Sequence, residues 1–164
     1  MADADLDRLR RLSQEVKNAL ATDAAALAAT AARLAQEHLP AWIEAIENGF
    51  KHKETVLWFR HIDETERSFL GLGPSRRIYR WKKRDRDSAP QIDLTALFSA
   101  LADPPGNGLY EYTKELNRHL AGICTVEWRS EPIKDAEYEI ELHGVEDFSA
   151  CETYFVVVMS RSLA

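Results

Sequence analysis

The stretch 55-TVLWFRHI-62 changes the period of the chain. Its β-branched and aromatic residues are those that suit a pleated, half-buried surface, so it predicts a strand. The residues before it follow a helical period instead. In 37-EHLPAWIEAIENGFKHKE-54, Trp42, Ile43, Ile46 and Phe50 recur as one stripe. Pro40 suits the first turn of that helix, and Gly49 marks its fraying end.

Upstream, residues 4–37 predict a further helix. Leu6, Leu20, Leu27 and Leu34 share one heptad position, interrupted by Ser13, while Leu9 and Val16 occupy the adjacent position of the same face. Alanines fill the second half, and their small side chains let a neighbouring helix come close. Thr22 and Asp23 are able N-caps, so a break into a hairpin is expected there. The stripe suits a core face. A homodimer seam is the alternative, weakened because its second position goes on as Asp23, Thr30 and Glu37.

Downstream, 66-ERSFLGLG-73 and 76-RRIYRWKK-83 predict two more strands with a turn at Gly73-Pro74-Ser75. Asp93 caps a helix carrying Leu97, Phe98 and Leu101, and a second helix closes at Gly122. Strands are then expected at 124-CTVEWRSE-131, 136-AEYEIELHG-144 and 152-ETYFVVVMS-160, the last apolar on both faces as a central strand is. The order helix, helix, three strands occurs twice. Thr55-Val56-x-Trp58 matches Thr125-Val126-x-Trp128 at an offset of about 70 residues, in line with an internal duplication. The expected fold is therefore α+β. A largely antiparallel sheet of about six strands has helices on one face, since connections this short make meanders. We divide the chain into an N-terminal helical segment, 1–37, and an α+β domain, 38–164, with pseudo-repeats at 38–87 and 92–164.

Charge is unevenly spread. Net charge is −6, yet residues 75–87 carry seven Lys/Arg against two Asp, leaving −11 on the rest. An acidic body argues against a general nucleic-acid coat, although a local basic patch still makes a local site. As a strand, Ile78, Arg80, Lys82 and Arg84 face one way and Tyr79, Trp81 and Lys83 the other. With Arg76 and Arg77, the cations Arg80, Lys82, Lys83 and Arg84 are candidates for a nucleic acid or a protein partner, with Trp81 as a stacking surface. The structural reading pairs them with the acidic face of 136–144, where Glu137, Glu139 and Glu141 alternate with apolar residues, and leaves Tyr79 and Trp81 in the core. The same glutamates could dock a basic partner.

Chemistry-bearing motifs are scarce. The sequence has no phosphate-binding loop, nucleophile elbow or H-E-x-x-H pair, and no spacing calls for a cofactor or a metal. Cys124 and Cys151 read as reduced, half-buried structural thiols, and His119 beside Cys124 is a weak nucleophile pair. A ligand cavity between sheet and helices, lined by Trp58, Trp128 and Tyr154, would suit a small-ligand binder or an enzyme. A charged N-terminus and the lack of a long apolar run predict a cytoplasmic protein without a membrane span. The expected function is a non-enzymatic protein-interaction module of the inhibitor, immunity or chaperone kind, acting through the acidic face or the Ala/Leu helix. Nucleic-acid binding by the basic strand is the alternative.

Overall fold

The computed structural model describes residues 2–66, 76–101, 107–132 and 151–161. Helix α1 (Ala2–Lys51) is followed by strands β1 (Val56–Glu66) and β2 (Arg76–Trp81), helices α2 (Leu94–Leu101) and α3 (Asn107–His119), and strands β3 (Cys124–Pro132) and β4 (Cys151–Met159). The described strands form one antiparallel sheet in the order β2-β1-β4-β3. The fold is α+β with a long N-terminal helix, as expected, but the described residues contribute four strands to the sheet rather than about six. The expected strand at 136–144 lies outside the described residues, as does 66–73 beyond Glu66.

The expected breaks in α1 are also absent. The helix runs unbroken through Thr22, Asp23 and the 37/38 boundary, and it contains Pro40. Thr22 and Thr30 do not cap. Their hydroxyls donate back to the carbonyls of Asn18 and Ala26 within the helix. Pro40 removes one helical hydrogen bond, a cost of about 3 kcal/mol in an unsupported helix. Burial on both sides of it, of Ala35 before and of Trp42, Ala45 and Ile46 after, holds the helix together across the defect. Gly49 does not end the helix either. A Cβ there would run into the side chain of Leu57, so glycine is what lets β1 lie close against α1. The reversal falls instead at Lys53, whose φ is 62°.

The core lies on one face of the sheet. Leu57 and Phe59 from β1, Trp81 from β2, Val126 from β3 and Phe155 and Val157 from β4 meet Trp42, Leu97, Phe98, Leu101, Tyr112 and Leu116 from the helices. Trp42 stands edge-on to Phe59 and Phe155 at 6.1 and 5.3 Å. β4 is central, and Tyr154, Phe155, Val156 and Val157 are all buried, as an apolar central strand requires. Asp93 caps α2, its carboxylate accepting from the amide of Ala96 at 3.0 Å. Gly122 has φ 82° beyond α3. The two Thr-Val-x-Trp segments are not placed alike. Val126 is fully buried and Trp128 faces the core, whereas Val56 and Trp58 are exposed on the opposite face. A period of two makes the face of a strand depend on a one-residue shift, so three matching residues do not fix it.

Candidate partner-binding surfaces

The least covered part of the molecule is the first half of α1. Every residue from Ala2 to Ala26 is exposed, and the first buried one is Ala31. At 1.5 Å per residue, the free segment 2–26 is about 37 Å of helix without a neighbour among the described residues. Along it Leu6, Leu9, Leu12, Val16 and Leu20 are 47%, 62%, 57%, 52% and 62% exposed. Their spacing puts them on one side of the helix, and contiguous apolar surface of this kind marks an interaction site. The expectation that the whole stripe is a core face is thus met only from Leu27 onward, where Leu27 and Leu34 pack against the core. No helix of the described chain is long and apolar enough to cross a membrane.

That the second half of α1 is held firmly follows from polar contacts that the sequence did not announce. Tyr112 Oη accepts from the buried Trp42 Nε1 at 2.8 Å and lies 2.8 Å from His38 Nδ1. Burial raises the Tyr112 hydroxyl well above tyrosine's ordinary range, against the opposing effect of the Trp42 bond. Burial also lowers His38 below 6.5, outweighing Glu37 and Asp93. A neutral imidazole and a protonated phenol are the pair that shares one hydrogen without a net charge.

In the basic segment the two sides separate cleanly. Trp81 is buried and donates from Nε1 to the carbonyl of Pro90 at 3.0 Å. Tyr79 stacks on Phe98 with ring centroids 4.4 Å apart. The candidate stacking surface therefore belongs to the core. The described side chains of Arg77, Arg80, Lys83 and Arg84 are exposed, and Lys82 is half-buried. The strand stops at Trp81, so Lys82, Lys83 and Arg84 enter a turn rather than continuing the alternation. Of Arg76 only the backbone, paired with Glu66, is described. The chain turns back because Asp85 Oδ2 accepts from the Arg60 amide at 3.1 Å and stands 3.8 Å from its guanidinium. Glu137, Glu139 and Glu141 lie outside the described residues, so the structure does not place the acidic face beside the basic one.

Two open clefts are lined by described residues. One of about 720 Å³ lies between the end of α1, β1 and the 82–88 turn, with Trp58, Arg60, Arg84 and Asp85 in its wall. The other, of about 530 Å³, lies between α3 and β3. Neither has Trp58, Trp128 and Tyr154 together in its wall, as the expected ligand cavity would. Trp58 and Tyr154 instead meet at 5.3 Å on the far face of the sheet, with the Arg60 guanidinium 5.7 Å from the Trp58 ring centre. Trp128 is on the core side and donates to His61 Nε2 at 3.0 Å. An indole N–H only donates, so the ring hydrogen of His61 sits on Nδ1, 2.9 Å from Thr153 Oγ1. Three strands are tied together by one buried imidazole. A second structural clip is Asn117 of α3. Its amide accepts from the Val126 N–H at 2.7 Å and donates to the Val126 carbonyl at 2.9 Å, so it pairs with the edge of β3 as a strand would.

The weak nucleophile pair does not assemble. His119 Nε2 points to Glu115 Oε1 at 3.4 Å, while Cys124 is buried and burial pushes its thiol up, away from the reactive thiolate. Only the backbone of Cys151 is described. Among the described residues no three His, Cys, Asp or Glu side chains are placed to hold a metal ion. No family model, no curated protein and no solved structure matches the chain.

Proposed function

We propose that the protein is a non-enzymatic protein-interaction module whose grip is the free half of α1. One observation carries the reading: five large apolar side chains stand exposed along one side of a helix whose continuation is locked into the body. An uncovered helix of this length is marginal in water, and a partner that covers its apolar side stabilises it. The His38–Tyr112 pair, whose acidities burial displaces, ties α1 to α3, which fits a scaffold that presents a surface.

Site-specific photo-crosslinking tests this. A photoreactive residue at Val16 lies within the stripe, and one at Asn18 lies on the opposite side of the same helix, about 160° away at 100° per residue. Crosslinks at 16 that are absent at 18, in extract of the native cell or with purified protein, are the expected result. Equal yields at both positions, or none at either, sink the proposal. Nucleic-acid binding retains the exposed cations Arg77, Arg80, Lys83 and Arg84 in its support, but Tyr79 and Trp81 are packed inside. Steeply salt-dependent anisotropy with short oligonucleotides would favour that reading instead.

A further inference from the structure

Granting the reading above, we infer that the free half of α1 is covered by the same segment of a second copy of this chain, running antiparallel. The direction follows from where the stripe leads. Leu20, Leu27 and Leu34 recur every seven residues along one line of the helix. Leu20 is exposed, whereas Leu27 and Leu34 pack against the body. The apolar line of the free half thus runs straight into the folded domain on the same side of the helix.

A parallel partner whose stripe faced this one would bring its own residues 27–51, and the body attached to their facing side, to the same end. Two bodies would then compete for the space between two helices about 10 Å apart. An antiparallel partner places the two bodies at opposite ends, and only residues 2–26 of each copy lie side by side. An antiparallel register in which facing residue numbers add to 29 sets Leu9 against Leu20 of the second copy, Val16 against Ser13 and Leu6 against Asp23, each twice by symmetry. Beside that seam Leu12 lies near Ala19 of the second copy, whose small side chain allows close approach. The paired length is about 37 Å, with ten half-exposed apolar side chains to cover.

Charge favours this occupant over a strongly charged one. The free segment holds Asp3, Asp5, Asp7, Glu15 and Asp23 against Arg8, Arg10, Arg11 and Lys17, so it presents no single-sign field to an anionic membrane or a basic protein. The antiparallel match brings Arg10 near Lys17 of the second copy. Asp7, 2.8 Å from Arg10, offsets that repulsion.

Sedimentation velocity on the full chain at rising concentration, followed by cysteine crosslinking, tests the inference. The expected outcome is a dimer at high micromolar protein that reverts to monomer in Leu9→Glu/Leu20→Glu. The urea midpoint should be unchanged, since both positions are exposed. A mixture of Leu9→Cys and Leu20→Cys chains treated with a short bismaleimide should yield at least fivefold more crosslinked dimer than either variant alone. Leu9→Cys chains that crosslink best to each other overturn the antiparallel arrangement. A chain that stays monomeric overturns the second copy altogether. In that case crosslinks from Val16 to a different protein keep the interaction reading alive, and their absence ends both.

Discussion

Replacing Tyr112 with Phe removes one oxygen and tests what anchors the long helix. Tyr112 is fully buried, as is Trp42. In the variant the Trp42 Nε1–H keeps its place in the core but loses its acceptor at 2.8 Å. A buried donor left unpaired costs about 1–3 kcal/mol. His38, the other neighbour at 2.8 Å, is only half-buried and turns to water at smaller cost. We expect a loss of about 2 kcal/mol. With a urea slope of about 1–3 kcal/mol per molar, the unfolding midpoint falls by about 1 M at unchanged slope. Trp42→Phe in the same background removes the orphaned donor as well, so the double variant should lose less than the two single losses added together, by about 1 kcal/mol. Urea melts followed by far-ultraviolet dichroism measure all four corners. A Tyr112→Phe loss under about 0.5 kcal/mol, or strict additivity, would refute the argument that this hydroxyl pins α3 to α1.

His38 gives a pH signature with a definite sign. Burial holds its folded value below 6.5. Above about pH 7 neither folded nor unfolded chain carries the proton, and the group adds nothing. As pH falls through 6.5 the unfolded chain takes up the proton first, so stability drops until the folded value is passed; His38→Gln should flatten that part of the stability profile in urea melts between pH 7.5 and 5. Gly108→Ala would place a Cβ 2.6 Å from the Leu101 carbonyl oxygen and 3.1 Å from its Cα, forcing α2 from α3. We expect a loss of about 1–3 kcal/mol by thermal or urea melting, despite alanine's better helix propensity. Asn117→Ala should cost about 1–2 kcal/mol by leaving the Val126 amide and carbonyl on the β3 edge without their side-chain partner. Asn117→Asp restores only the amide's partner, so it should not recover the loss in the same melts.

The chain announces its elements better than its faces. The switch from helical to alternating period at residue 55, the Asp93 cap and the doubly apolar β4 are all local signals, and each stands where local rules put it. Pro40 misled because its cost is local while its compensation, the burial of Ala35 and Trp42, is tertiary. Trp58 and Trp128 sit in matching tetrapeptides yet face opposite ways, because β1 has apolar residues on both sides and the choice rests on Leu57 and Phe59 meeting Trp42. In the basic segment, alternation correctly separated Tyr79 and Trp81 from Arg80, but nothing local says that the strand stops at Trp81. His61 and Asn117 carried no visible signal. A histidine in a strand and an asparagine in a helix are ordinary residues until the partners that satisfy them arrive from far along the chain.

The division of α1 links that legibility to function. A helix in a folded domain derives most of its stability from what it packs against, so an apolar stripe longer than the domain it serves must be satisfied twice. Residues 27–51 are satisfied internally by α2, α3 and the sheet. Leu6 to Leu20 continue the same pattern with no described neighbour. Had these leucines been polar, the sequence would describe a domain with a solvated extension, and the folded body would be no less stable. Their presence adds exposed apolar surface that only an external helix or groove relieves. For that reason the free half of α1, and not the basic turn or either cleft, is where a search for partners should begin.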